Sequence, residues 1–112
     1  MTESELQAFR ARILAEISAL TAQDDLGQDA QRTVKLDQQS VGRLSRMDAM
    51  QQQAMAQATA RRRAGQRQRL ELALERLDAG EFGECADCAD PLPLGRLELD
   101  PTATLCVSCA AG

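Results

Sequence analysis

The sequence predicts a mostly α-helical protein: an antiparallel two-helix coiled-coil hairpin followed by a C-terminal four-cysteine zinc finger. Three observations predict it: a coiled-coil stripe of apolar residues near the N-terminus, a long proline-free stretch rich in helix formers, and two C-x-x-C pairs near the C-terminus. We expect the hairpin to occupy residues 1–79, with its connection at about 23–42, and the finger to occupy 80–112.

The first helix is predicted from apolar residues that recur every three or four positions, the spacing of a coiled-coil seam. They are Leu6, Phe9, Ile13, Ile17 and Leu20. Thr2, followed three positions later by Glu5, predicts a capping box at the start of this helix. After residue 22 the periodicity is lost among Asp, Gly and Ser residues, which favours a break in the connection.

The second helix is predicted from about Arg43 to Asp78, where there is no proline and Ala, Gln, Arg and Leu predominate. Gly80 is suited to a left-handed C-terminal cap. The apolar residues lie near the two ends of this helix, so we expect it to pair antiparallel with the first helix and leave part of itself exposed. Its basic middle is a predicted partner-binding face, for which a solvated helix face is the alternative. The residues of this face are Arg61, Arg62, Arg63, Arg67 and Arg69.

The net charge of −4 is unevenly distributed along the chain. Residues 1–60 carry −2, residues 61–80 carry +3, and residues 81–112 carry −5. Four thiolates on one Zn²⁺ would bring the finger to about −7. Such a finger is repelled by phosphates, so we expect no direct DNA binding through it.

The composition also limits the class of protein and its location. There is no histidine and no paired base and nucleophile, which predicts that the protein is not an enzyme. No segment has the ~20 consecutive apolar residues of a membrane span, and the acidic N-terminus is unlike a signal peptide. We therefore expect a cytoplasmic protein with no membrane partner.

Four cysteines form the strongest motif in the chain. The first pair, Cys85 and Cys88, is separated by 17 residues from the second pair, Cys106 and Cys109. This spacing is typical of a four-cysteine site for one Zn²⁺ per chain, closed and structural because four thiolates fill the tetrahedron. Disulfides or a thiol-redox role fit a reducing compartment less well, and iron is an alternative metal. We expect the proline-containing segment after the first pair to be an extended loop rather than a helix.

The residues around the cysteines carry a family resemblance. Phe82-Gly83 precedes the first cysteine, Arg96-Leu97 lies between the pairs, and Pro101-Thr102-Ala103 leads through Leu105 to the third cysteine. Over about residues 79–110 this arrangement resembles the zinc finger of the DksA/TraR family of bacterial transcription regulators. The resemblance implies a regulator that binds RNA polymerase by inserting its coiled-coil tip into the secondary channel. The alternative is a zinc-stapled protein–protein interaction module without polymerase activity.

Family members that act in this way carry a tip resembling Asp-x-x-Asp-x-Ala. The candidate tip residues here are Asp37, Ser40 and Gly42, with Asp48 and Ala49 as a second possibility.

Relatives that respond to the alarmone ppGpp have basic residues near the finger. The corresponding positions here are Asp100, just before Pro101, and Ala110, just after Cys109. An acid facing a polyphosphate is unfavourable, so we expect ppGpp synergy to be weak or absent.

Overall fold

The computed structural model describes the backbone of residues 1–38 and 43–112 and the side chains of residues 1–28 and 45–112. The helices are α1 (Glu3–Gln38), α2 (Arg43–Ala79), α3 (Leu94–Leu99) and α4 (Val107–Ala110). This mostly helical architecture, with its clustered cysteines, confirms the predicted fold class. Across the described ranges no helix has the length and apolar character needed to cross a bilayer. The chain forms two compact units, residues 1–17 with 68–112, and residues 18–67.

The predicted capping box begins α1. The Thr2 amide donates to Glu5 Oε1 at 3.3 Å, and the Glu5 amide donates to Thr2 Oγ1 at 3.2 Å. These two reciprocal bonds supply acceptors for amides at the start of the helix, where no preceding turn provides a carbonyl. The prediction from Thr2 and Glu5 is therefore confirmed.

The unit formed by residues 1–17 and 68–112 contains most of the buried apolar side chains described. Ile13 of α1, Leu70 of α2 and Leu97 of α3 are fully buried there. The rings of Phe9 and Phe82 lie with centroids 5.3 Å apart and planes inclined at 52°. One core thus contains residues from both long helices and from the cysteine-rich segment.

The helix α1 does not break near residue 23. It continues to Gln38, so the predicted connection over 23–42 was wrong for residues 23–38. Gly27 costs a helix interior only about 1 kcal/mol relative to alanine. Within the unit of residues 18–67, Asp24 is paired with Arg63 Nε at 2.7 Å and with Arg67 Nη1 at 3.0 Å. A Cβ atom on Gly27 would lie 3.0 Å from Arg63 Nη2, so the glycine leaves room for the guanidinium.

The second helix agrees with its prediction at its C-terminus, since α2 ends at Ala79 and Gly80 has φ +75°. In the first half of α2, the side of the helix that is buried is not the side that carries the large apolar residues, which composition did not predict. Small or polar side chains are half-buried there: Ala49, Gln53, Ala56 and Ala60. The larger side chains of Met47, Met50 and Met55 are exposed.

The segment between the cysteine pairs is not purely extended. It contains α3, so the prediction of a loop without a helix was wrong. Pro93 is the N-cap of α3, and its φ of −58° is already suited to the start of a helix. Its carbonyl accepts from the amides of Arg96 at 3.1 Å and Leu97 at 3.3 Å. Burial of Leu97 then holds this short helix in the core.

Candidate metal centre

The four cysteine sulfurs meet at one point of the cysteine-rich segment. All four Sγ atoms lie within 4.8 Å of one another, and those of Cys88 and Cys106 are 3.7 Å apart. A tetrahedron with Zn–S bonds of about 2.3 Å has sulfurs about 3.8 Å apart. The geometry therefore fits one Zn²⁺, as the sequence predicted.

The first cysteine pair is presented by a tight turn. The Cys85 amide donates to the Asp90 carbonyl at 2.8 Å, and the Ala89 amide donates to the Cys85 carbonyl at 2.9 Å. Ala89 has φ 61°, a left-handed conformation that is unfavourable for a residue with a Cβ atom. An isolated antiparallel bridge between Glu84 and Pro91 closes the base of the turn. This turn brings Cys85 and Cys88 to the same side.

The second pair is presented by the start of α4. Cys106 is the N-cap of α4, and its Sγ accepts from the Cys109 amide at 3.4 Å. Two bonds connect this pair to the first turn: the Ala86 amide donates to the Thr104 carbonyl at 2.7 Å, and the Cys106 amide donates to Cys85 Sγ at 3.4 Å. Backbone hydrogen bonds therefore fix the two pairs relative to each other.

The electrostatics of the four sulfurs favour a cation. The pKa of Cys85 is lowered to about 6, chiefly because the Cys106 amide donates to its sulfur, with further help from the Cys88 amide. The pKa of Cys109 is raised far above its usual range by the nearby sulfurs, that of Cys106 first. One thiolate is thus stabilised by the backbone, whereas further thiolates repel one another. A divalent cation at the centre removes that repulsion, and four sulfurs leave no position for catalytic water.

Three arginines position the metal-binding segment. The sequence did not predict this role for any of them, although Arg96 is part of the motif that carries the family resemblance. The Arg76 carbonyl accepts from the amides of Glu81 and Phe82 at 2.8 and 3.2 Å, while its guanidinium donates to the Glu81 and Glu84 carbonyls. Arg12 Nη1 donates to the Glu98 carbonyl at 2.6 Å. Arg96 Nε donates to the Leu105 carbonyl at 3.0 Å. Their acceptors are backbone carbonyls, for which a sequence carries no signal.

The predicted basic face is divided by the structure. Arg61, Arg62 and Arg69 are exposed, whereas Arg63 and Arg67 are half-buried in ion pairs with Asp24. The hydrogen bond from Arg63, followed by the charges of both arginines, lowers the pKa of Asp24. Two of the five predicted contact residues therefore already hold α1 and α2 together within residues 18–67. Finding Asp24 from sequence would have required the register of the two helices.

The predicted tip lies largely outside the described side chains. Asp37 is in the last turn of α1, with its side chain outside the described part, and Ser40 and Gly42 lie outside the described residues altogether. Asp48 is exposed and Ala49 is half-buried on α2. The roles of these residues stay predictions.

Two long helices and a four-cysteine metal centre that shares a core with their ends define the class: a helical-hairpin protein with a structural zinc finger. Residues 80–112 match the family described as prokaryotic dksA/traR C4-type zinc finger. The zinc-finger segment of this chain therefore matches the DksA/TraR family, which confirms the resemblance seen in the sequence over the same residues.

Two relatives show how far the likeness extends. A segment of 41 residues is 42% identical to the RNA polymerase-binding transcription factor DksA of Haemophilus influenzae, covering 37% of this chain. That segment spans only 28% of the relative's length. The solved structure of transcription factor DksA2 from Pseudomonas aeruginosa matches with a TM-score of 0.87 and 26% identity. This match covers 97% of this chain and 82% of the other, so it includes the helices as well as the finger.

Proposed function

We propose that this protein is a transcription regulator that binds RNA polymerase through its helical hairpin and does not bind DNA by itself. The observation that carries the proposal is the likeness to DksA2 over 97% of the chain. A relative that is 42% identical over 41 residues is named as an RNA polymerase-binding transcription factor, which supports RNA polymerase as the class of partner. The proposed site of binding is the secondary channel, and the proposed location is the cytoplasm.

In this proposal the zinc centre has a structural role, with Cys85, Cys88, Cys106 and Cys109 as its ligands. The finger shares its core with α1 through Phe9 and Phe82, so a folded finger stabilises the base of the hairpin. The metal supplies local folding free energy rather than chemistry. We therefore propose a regulator rather than an enzyme, with residues 80–112 as the finger and residues 1–79 as the hairpin.

Charge supports a protein partner rather than DNA. Residues 81–112 carry −5 before any contribution from thiolates. Phosphate binding requires several unpaired cations, yet Arg63 and Arg67 are already paired with Asp24. The proposed contacts with polymerase are the tip candidates and the exposed arginines.

The proposal is tested by measuring the affinity of the zinc-loaded full chain for core RNA polymerase, and its competition with a ligand of the secondary channel. We expect binding and competition, little effect of ppGpp, and no shift of duplex DNA at physiological salt. A chain that shifts free DNA but does not bind polymerase would overturn the proposal. Retained zinc without binding to either would favour the interaction-module alternative.

A further inference from the structure

The outer side of α2 within residues 18–67 presents three large apolar side chains. Met47, Met50 and Met55 are 57%, 64% and 71% exposed. At about 100° per residue, Met47 lies about 180° around the helix from Ala56, which is half-buried. The other two methionines lie about 60° and 80° to either side of Met47. We call these three residues the methionine face.

The methionine face is not needed to form α2. Glutamine and arginine are as favourable as methionine in a helix, and both are abundant in the same stretch. Alanine occupies much of the half-buried side of α2, so the larger methionine side chains lie where they bury the least apolar surface. Methionine is flexible and polarizable, and it is frequent on surfaces that adapt to a protein partner. Apolar side chains on one side of a helix are the usual anchors by which a helix docks in a groove of a partner.

The charge around the methionine face indicates the chemistry of the partner. Residues 43–69 include seven arginines and one acid, and two of these arginines, Arg63 and Arg67, are already paired with Asp24. Arg61 and Arg62 are exposed and lie within about 60° of the direction of Met47, further along the same side of α2. The complementary surface is therefore apolar at its centre, with carboxylates at its border.

We infer that the methionine face, with Arg61 and Arg62, is the surface by which α2 docks on RNA polymerase, at an apolar protein surface bordered by carboxylates. This inference rests on the proposed function and names the residues that carry it. The acidic finger is repelled by a surface bordered by carboxylates, whereas the arginine-rich part of α2 is attracted to it.

The first test replaces the three methionines together by glutamine. Because these side chains are exposed and glutamine is a good helix former, the variant keeps its helical content and its zinc. We expect its Kd for core RNA polymerase to rise by at least about tenfold, the effect of losing a small hot spot. Leu26→Gln is the matched control, since Leu26 is 70% exposed in the same unit but on α1. Its Kd should stay within about twofold of that of the unchanged chain.

The second test measures protection of the methionines in the complex. Hydrogen peroxide transfers one oxygen atom to a thioether and leaves water, and each sulfoxide is located by mass spectrometry. We expect slower oxidation of the methionine face in the complex, with exposed Met1 unprotected as the internal reference.

The outcomes separate the inference from the proposed function. If the unchanged chain binds polymerase, while the triple variant binds equally well or the three methionines stay unprotected, the inference is wrong and the proposed function stands. If the unchanged chain does not bind polymerase, the proposed function fails and the inference fails with it. Weakened binding of the triple variant together with protection supports both.

Discussion

The contact between Phe9 and Phe82 gives a quantitative prediction about how the finger stabilises the hairpin. These two rings are the only aromatic groups in the sequence, and both are buried. Their centroids are 5.3 Å apart with an interplanar angle of 52°, a tilted arrangement in the favourable range for aromatic pairs. Replacing either by leucine keeps an apolar side chain but removes the ring-to-ring interaction.

The expected coupling follows from this geometry. Each single substitution should reduce the free energy of unfolding by about 1.5 kcal/mol or less, because leucine fills much of the space. An aromatic pair adds about 0.5–1.5 kcal/mol beyond burial, so the double variant should lose less than the sum of the singles by that amount. For a chain of 112 residues, 1 kcal/mol corresponds to about 4 °C in Tm.

The assay is denaturant unfolding of the zinc-saturated chain, followed by helical circular dichroism, for Phe9→Leu, Phe82→Leu and the double variant. A control cycle pairs Phe9→Leu with Leu99→Ala, whose exposed side chain should give purely additive effects. Strict additivity in the aromatic cycle would show that the finger contributes nothing to the hairpin through this contact.

Three further perturbations are predicted from the site. Cys106→Ser should abolish stoichiometric zinc, measured by metal analysis of reduced protein, whereas Ser108→Ala should retain it because only the former removes a sulfur; equal zinc contents would contradict the ligand assignment. Asp24→Asn should lower stability at neutral pH. Because the Asp24 pKa is lowered in the folded state, its contribution is complete above the usual value of about 3.9 and is lost as the pH falls through the folded pKa. The stability gap between the two proteins should therefore close in acid, and a pH-independent gap would refute the ion-pair explanation. Ala89→Gly should raise finger stability by about 1 kcal/mol, measured by resistance to a chelator, since it relieves the positive φ; no gain would show that the turn is unstrained.

The sequence was sufficient for features whose signal is local. The spacing of the four cysteines predicted the metal centre, because few arrangements other than a zinc site use two C-x-x-C pairs at this separation. The capping box depends likewise on two residues close together in the sequence, Thr2 and Glu5. The C-terminal end of α2 depends on one residue, Gly80. The apolar stripe of α1 predicted which side of that helix is buried, as Ile13 shows.

Features that depend on two distant segments were not predictable in this way. Asp24 looked like part of a helix break, because its partners Arg63 and Arg67 are known only once the helices are aligned. The prolines after Cys88 indicated a loop, but burial of Leu97 favours a short helix. Such tertiary contacts override the local preference of a short segment.

The shared core also has a consequence for synthesis of the chain. Phe82 follows Phe9 by 73 positions in the sequence. The core that contains both rings therefore cannot form until Phe82 has been synthesised. At about 5–20 residues per second, that wait is about 4–15 s. Residues 18–67 form a separate compact unit, and all of its residues are synthesised before the first cysteine, Cys85. We therefore expect metal capture to come late in maturation, since Cys106 and Cys109 are among the last residues to be synthesised, and a shortage of zinc should affect the finger more than residues 18–67.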